Sequence, residues 1–295
     1  MGKLVRCISE DGTLYVLAVN STEMVQEMQN IHQTSKVCSA ALGRLITAAG
    51  MMGVLLKGDK DTLTIKMNGS GPASPVVAVA NSKGQVKGYI GDRNVQLPLN
   101  SKGKLDVSGA IGKDGFLTVI KDLGLKEPYC AQIPVVSGEI AEDITAYYFT
   151  SEQTPTVCAL GVLVDPETEN VLLAGGFLIQ LLPTADENTI SLVEKGLEGI
   201  KPVTTMLAEG LTPEQICEKV LPEFNMQFLD SQEISYKCDC SVERVTKALI
   251  GAGEDGLREM AEDENTEVVC HFCNTKYNFS REKILKLLKE ATKKS

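Results

Sequence analysis

The feature that most constrains this chain is a set of two tight cysteine pairs in its last quarter. The blocks YKCDCSVERV and VVCHFCNTKYNF contain a C-x-C and a C-x-x-C motif, which supply Cys238, Cys240, Cys270 and Cys273. Two close-spaced pairs on separate loops are how small domains enclose a zinc ion with four thiolates. The spacing therefore predicts one zinc ion per chain. A four-cysteine site leaves no open position for a catalytic water molecule.

The other cysteines and His271 are predicted to have no part in this site. His271 lies inside the second pair, but the thiols on either side are better placed to bind metal, so we expect a bystander. Five further cysteines are unpaired in the sequence and stand in apolar surroundings, as buried small hydrophobic residues do. They are Cys7, Cys38, Cys130, Cys158 and Cys217.

The sequence contains no recognisable targeting segment. The start, MGKLVRCISEDG, lacks the apolar stretch of a signal peptide, and the longest nearly apolar run, residues 45–56, is too short to span a bilayer. We therefore expect a cytoplasmic protein without a membrane partner. In that compartment paired cysteines bind metal or take part in redox chemistry more often than they form structural disulfides.

Charge and composition argue against several classes of function. The formal net charge is −10 and tryptophan is absent, which disfavours nucleic acid as a partner because phosphate contacts need a positive field. The glycine-containing stretches GSGPASP and GAIGKDG match neither a phosphate-binding loop nor a dinucleotide fingerprint. With only two histidines in the chain, we predict that the protein is not an enzyme.

Residues 1–183 are predicted to form an α+β domain with a mainly antiparallel sheet that folds alone. Hairpins are expected in KLVRCISEDGTLYVLAVN and PVVAVANSKGQVKGYIG, and further strands in TLTIKMN, residues 116–121, residues 157–164 and NVLLAGGFLIQLLP. Apolar residues recur at helical spacing from Ser35 to Lys57, with Ser35 as the N-cap. Strands and helices do not alternate regularly, which argues against a parallel doubly wound sheet.

Two smaller regions are expected after this domain. Residues 184–231 carry short apolar stripes broken by Gly and Pro, so we predict a helical linker whose pieces are too short to be stable alone. Residues 232–295 contain few apolar residues and need a staple. They are predicted to form a small zinc-binding domain with helices in SVERVTKAL and SREKILKLLKEATKK, each behind a serine N-cap.

Two other functions remain open for such a C-terminal domain. One is a zinc-ribbon interaction module, although residues 232–295 carry 11 Lys or Arg against 12 Asp or Glu, a net charge of −1 with no basic face. The other is a thiol oxidoreductase that uses the C-H-F-C motif, although that class places C-x-x-C near the start of a βαβ unit.

Nearly the whole chain resembles the heat shock protein 33 family of redox-regulated chaperones. The two cysteine blocks are similar to the family's switch motifs, and HQTSKVCSAALGRLITAA, GYIG, YYFTSEQTPTVCALGV and GGFLIQLLP are similar to its N-terminal domain. The resemblance implies an ATP-independent holdase that is inactive when reduced and zinc-bound. It also implies that oxidation forms the disulfides Cys238–Cys240 and Cys270–Cys273, releases zinc, loosens the linker and permits a homodimer.

A loosened linker would expose apolar side chains that capture unfolded client proteins. In the reduced state the same side chains are expected to pack in a core. The candidates are Leu192, Leu197, Val203, Met206, Leu211 and Phe224.

Overall fold

The computed structural model describes residues 2–291, which contain strands β1 to β12 and helices α1 to α10. The strands are β1 (Gly2–Ser9), β2 (Leu14–Asn20), β3 (Thr62–Asn68), β4 (Val76–Asn81), β5 (Gln85–Ile90), β6 (Phe116–Asp122), β7 (Tyr129–Pro134), β8 (Thr156–Val164), β9 (Val171–Leu181), β10 (Met226–Tyr236), β11 (Asn265–Val269) and β12 (Lys276–Ser280). The helices are α1 (Thr22–His32), α2 (Lys36–Gly53), α3 (Val107–Ile111), α4 (Ala141–Tyr147), α5 (Glu187–Leu197), α6 (Val203–Ala208), α7 (Pro213–Val220), α8 (Val242–Gly251), α9 (Gly253–Met260) and α10 (Arg281–Ala291).

The first ten strands form one sheet in the order β7-β6-β3-β4-β5-β10-β1-β2-β9-β8. Neighbouring strands are antiparallel except β10 and β5, which run parallel and pair only at Ser235 and Tyr236. The predicted α+β class with a mainly antiparallel sheet is therefore confirmed. Both predicted hairpins are present as β1–β2 and β4–β5. Among residues 2–291, no helix combines the length and apolar character needed to cross a bilayer.

Helix α2 lies at the centre of the main core, against one face of the sheet. It is buried over almost its whole length, and its many small residues let it approach β4, β5 and β8 closely. The predicted N-cap is confirmed, because the Ser35 hydroxyl accepts the Cys38 backbone N–H at 3.4 Å. The helix ends at Gly53, before the predicted Lys57, because the following chain turns and Leu56 N–H bonds to the Gly53 carbonyl at 3.0 Å.

Helices α5, α6 and α7 cover the other face of the sheet over β1, β2 and β9. Together with these strands they enclose a second apolar core, called here the α5–α7 cluster, in which Val5, Phe177, Ile216 and Val220 are buried. The helices correspond to the short pieces predicted for the linker. Their capping is local: Thr212 and Gln215 form a capping box at the start of α7, next to Pro213.

Strand β10 was not predicted from the sequence, and it lies in the middle of the sheet. It pairs with β1 along residues 226–234 and touches β5 only at its last two residues. Most of its side chains, including Phe228 and Leu229, are exposed. Its polar stretch DSQE interrupts the alternation of apolar and polar residues by which a strand is predicted from sequence. The boundary expected between residues 231 and 232 falls inside this strand. By contacts the chain divides into a larger unit that ends at Lys237 and a smaller unit that begins at Cys238.

The smaller unit consists of the hairpin β11–β12 and helices α8, α9 and α10. The predicted serine N-cap of α8 is present, since the Ser241 hydroxyl accepts the Arg244 N–H at 3.3 Å. Its apolar core is small, as expected from the sequence. The buried members are Leu249, Leu257, Ala261, Phe279, Ile284 and Leu287.

The prediction of burial for the five unpaired cysteines is correct for four of them. Cys7, Cys38, Cys158 and Cys217 are buried, but Cys130 is exposed. Cys130 lies on β7, the strand at the sheet edge, where the neighbouring buried residue Ile133 points to the opposite face. The prediction for Cys130 was wrong because a sequence window does not show which face of an edge strand is covered.

The position of β10 changes what is expected of a fragment that ends at residue 183. Such a fragment lacks β10, which pairs with β1, and it lacks the helices that cover Val5, Phe177 and Ile179. Burial of each of these three side chains stabilises the fold by about 1.5–3 kcal/mol. We expect residues 1–237 to unfold cooperatively on heating, followed by circular dichroism, and residues 1–183 to aggregate or to melt at a clearly lower temperature. Equal midpoints for the two fragments would contradict this role of β10 and of helices α5, α6 and α7, which are called here the helical layer.

Candidate metal centre

The first cysteine pair follows directly after β10 in the chain. Cys238 and Cys240 lie between the last strand residue, Tyr236, and the Ser241 N-cap of α8. Both side chains are half-buried. Because Cys240 directly precedes the N-cap of α8, the start of this helix fixes the position of the first pair within the smaller unit.

The second pair lies in the tight turn that joins β11 to β12. The Cys270 N–H donates to the Thr275 carbonyl at 2.9 Å, and the Asn274 N–H donates to the Cys270 carbonyl at 2.9 Å. Asn274 has a φ of 57°, a left-handed conformation that asparagine tolerates better than most residues. This turn holds the two half-buried thiols of Cys270 and Cys273 on one short loop.

The fold brings all four predicted cysteines together. Their sulfur atoms lie within 4.8 Å of one another, with separations of 3.7 Å from Cys238 to Cys270 and 3.3 Å from Cys240 to Cys273. A tetrahedral zinc ion with bonds of about 2.3 Å to sulfur has sulfur–sulfur edges of about 3.8 Å. The four sulfurs therefore fit the size of a four-thiolate metal site.

Two hydroxyl groups contact the sulfurs and were not predicted. The Tyr277 hydroxyl donates to the Cys240 sulfur at 3.0 Å, and the Thr275 hydroxyl lies 3.1 Å from the Cys273 sulfur. Hydrogen bonds of this kind orient the ligands of metal sites and tune them. A signal was present in CNTKYNF, since Thr275 and Tyr277 are polar side chains close behind Cys273 and stand two residues apart, which places them on one face where the chain is extended.

The thiols of Cys238, Cys270 and Cys273 differ in acidity in this arrangement. Burial raises the pKa of the Cys238 and Cys270 thiols above the ordinary value. Burial also acts to raise the pKa of Cys273, but hydrogen bonds from Thr275 outweigh it and lower that pKa to about 7. The hydrogen bond to Cys240 raises the pKa of Tyr277 to about 12, so this hydroxyl keeps its proton and remains a donor at neutral pH.

His271 lies in the same turn but outside the group of four ligand atoms. Its side chain is exposed, whereas the four cysteines are half-buried. The geometry is consistent with the bystander role expected from the sequence.

The residues proposed to bind client proteins lie in the larger unit, at or near the α5–α7 cluster. Val203 and Met206 are buried in it, and Leu197, Leu211 and Phe224 are partly buried against it. Leu192 is half-buried and is not a member of the cluster. Val203 and Met206 therefore pack as core residues in this structure, as expected for the reduced state, and the other four side chains are only partly covered.

Comparison with known proteins agrees with the sequence motifs and the fold. The family model described as Hsp33 protein matches residues 2–280, which include both cysteine pairs. The 33 kDa chaperonin of Clostridium botulinum (strain Alaska E43 / Type E3) is 50% identical over 293 residues, 99% of each chain, and that of Geobacillus sp. (strain WCH70) is 46% identical over 291 residues, 98% of each. The crystal structure of the 33 kDa chaperonin from Thermotoga maritima superimposes with a TM-score of 0.89 at 37% identity, covering 99% of both chains. The chain therefore belongs to the Hsp33 protein family.

Proposed function

We propose that this protein is a redox-regulated, ATP-independent chaperone that holds unfolded proteins and prevents their aggregation. The observation that carries the proposal is the cluster of four half-buried sulfurs in a unit with a small apolar core. The relatives named 33 kDa chaperonin support a chaperone rather than an enzyme. In the proposal, the reduced zinc-bound form is inactive, and oxidation converts it into the client-binding form.

The reduced smaller unit is proposed to depend on one zinc ion held by Cys238, Cys240, Cys270 and Cys273. When bound, the ion would keep all four sulfurs as thiolates and contribute on the order of 10 kcal/mol of apparent folding free energy. Apart from the metal, this unit is held together by only six buried side chains among the described residues, Phe279 and Leu257 among them, and such a core contributes little stability. Tyr277 and Thr275 would orient the sulfurs of Cys240 and Cys273.

Oxidation is proposed to form the disulfides Cys238–Cys240 and Cys270–Cys273. Each disulfide removes two thiolates, so two of them leave no ligand for the metal, and the unit loses the interaction that keeps it folded. Sulfurs of different motifs also lie close in the cluster, 3.7 Å apart for Cys238 and Cys270 and 3.3 Å apart for Cys240 and Cys273. Once the metal no longer holds the sulfurs, the short C-x-C and C-x-x-C spacings keep the partners within each motif together. The very small C-x-C ring is expected to be easily reduced again, which suits a reversible switch.

The client surface is proposed to be the α5–α7 cluster, including Leu197, Val203 and Met206. Helices α5, α6 and α7 are short, and Pro202 and Pro213 keep α6 and α7 from extending toward their N-termini, so the three helices are marginal without the sheet beneath them. Their release would expose the apolar residues of both layers. Since β10 is paired with β1, we propose that the released part is the helical layer and that β10 stays in the sheet.

Partners and location follow from the same proposal. We propose unfolded proteins as the clients, a homodimer as the oxidised form and the cytoplasm as the compartment. The net charge of −10 supports the expectation that nucleic acid is not a partner, and we propose no membrane partner either.

Zinc content tests the ligand set. We expect one zinc ion per reduced chain by atomic emission, and we expect Cys270→Ser to abolish stoichiometric zinc because only three cysteine ligands remain. The matched control is Cys130→Ser, since Cys130 is an exposed cysteine in the larger unit and should be irrelevant to metal binding. Full zinc retention in Cys270→Ser would assign a ligand elsewhere, with His271 as the first suspect.

The hydrogen bond from Tyr277 gives a finer test of the same site. We expect Tyr277→Phe to keep zinc but to lower its affinity about tenfold, because loss of a group that orients a ligand costs roughly this much. The measurement is a competition titration against a chromogenic zinc chelator. Tyr129→Phe, at an exposed tyrosine of β7, is the control. An affinity equal to that of the wild type would show that the contact with Cys240 has no effect on the metal.

The proposed activity is tested by client aggregation and hydrogen exchange on the same samples. Without ATP, protein treated with peroxide and mild heat should suppress the aggregation of a chemically unfolded client, and reduced protein should not. Exchange protection should fall in α5, α7 and the smaller unit together, while β3 and β10 stay protected, because short helices have the lowest free energy of opening.

Two outcomes of that experiment would contradict the proposal. Reduced protein that suppresses aggregation as well as oxidised protein does would remove the switch. Activation with α5 and α7 still protected would show that the helical layer is not the surface that binds clients.

A further inference from the structure

Two of the cysteines outside the metal centre lie together in the larger unit. Cys7 is on β1 and Cys217 is on α7, both on the surfaces where the helix packs against the strand, and the two thiols are close enough for each to shift the pKa of the other. Both belong to the α5–α7 cluster and are 2% and 0% exposed. They are far apart in the sequence, so only the packing of α7 on β1 brings the two side chains near each other.

The packing of α7 on β1 is well defined, which makes this contact specific. Val5 and Cys7 point from β1 toward the helices, and a bulge between Arg6 and Cys7 adjusts the strand at this place. Helix α7 presents Ile216, Cys217 and Val220 to the sheet, and its Glu214 forms an ion pair with Lys3 of β1. Capping at its start and this ion pair position the helix, so the two thiols face each other whenever α7 is docked.

We propose that Cys7 and Cys217 form a second redox site, a dithiol that a hydroperoxide converts into a disulfide joining β1 to α7. The chemical class of its substrate is a two-electron oxidant that accepts electrons from two thiols. The product is a covalent link between the central sheet and the helical layer.

The reaction balances with hydrogen peroxide as the oxidant. The Cys7 sulfur attacks one peroxide oxygen, the O–O bond breaks, and one water leaves, so that Cys7 becomes a sulfenic acid. The Cys217 sulfur then attacks the Cys7 sulfur, the S–O bond breaks, and a second water leaves as the S–S bond forms. Two thiols and one peroxide thus yield one disulfide and two waters. The neighbouring Cys217 thiol lowers the pKa of Cys7, which favours Cys7 as the first thiol to react.

Burial sets the order of events between the two redox sites. The four cysteines of the metal centre are half-buried, whereas peroxide reaches Cys7 and Cys217 only when α7 opens. Oxidation at this site should therefore follow that of the metal centre, and it should trap chains in which α7 has docked again. In this respect the inference rests on the proposed release of the helical layer, since the disulfide would oppose that release. The formation of the disulfide does not depend on chaperone activity.

The test is a time course of peroxide oxidation of the full chain, followed by alkylation in denaturant and peptide mass spectrometry. We expect a linked pair of peptides containing Cys7 and Cys217, two hydrogens lighter than their sum, which appears after the four cysteines of the metal centre are oxidised. Cys217→Ala and Cys7→Ala should each abolish it. Cys158→Ala, which removes another buried cysteine of the larger unit, should leave it unchanged.

Two results would overturn the inference. One is complete alkylation of both Cys7 and Cys217 after all four cysteines of the metal centre have been oxidised. The other concerns the covalent link between β1 and α7. After prolonged oxidation, hydrogen-exchange protection of α7 should be higher in the wild type than in Cys217→Ala. Equal protection would show that the disulfide does not hold α7 on the sheet. Either readout can fail while aggregation is still suppressed, so failure here is distinguishable from failure of the proposed chaperone function.

Discussion

The pairing of β10 with β1 is the interaction on which the larger unit depends. Without it, β5 and β1 would face each other with no strand between them, because β10 is the only member of the described sheet that joins the two. Arg6 reinforces the pair by reaching Asp230 at 2.6 Å and Gln232 at 2.6 Å, and it also donates to the Val54 carbonyl beyond α2 at 3.1 Å. One side chain thus ties β1, β10 and the end of the central helix together.

The two units are stabilised in different ways, and this difference decides where oxidation can act. The larger unit buries an apolar helix, α2, under a wide sheet, an interaction that no thiol chemistry removes. The smaller unit has six buried apolar side chains and four sulfurs in contact distance, so in the proposed function its stability depends on the ionisation and ligation of those sulfurs. In the proposed function an oxidant would therefore unfold the unit held by its cysteines, and in the larger unit it would release helices α5, α6 and α7 but leave the sheet over α2 intact.

The sequence was sufficient for features that depend on neighbouring residues and insufficient for those that depend on docking. The spacing of Cys270 and Cys273 predicts a shared turn, and the serine before α2 predicts a cap, because both are local. Strand β10 escaped prediction because its side chains are mostly exposed, so burial left no alternating pattern in the sequence. The contact of Tyr277 with Cys240 required the position of the segment before α8 against β12. The contact of Cys7 with Cys217 required the position of α7 on the sheet, which no short window contains.

The two cysteine sites would respond to the same oxidant with opposite structural effects. In the proposed function, a disulfide at the metal centre would take away ligands, so oxidation would cost the smaller unit its main support. At Cys7 and Cys217 no ligand is lost, and a disulfide adds a covalent bond between layers that already touch. Because the half-buried cysteines of the metal centre would react before the buried Cys7 and Cys217, brief oxidation would loosen the protein. Prolonged oxidation would then link α7 covalently to β1. The extent of helical-layer release would then depend on the duration of oxidant exposure as well as on its strength.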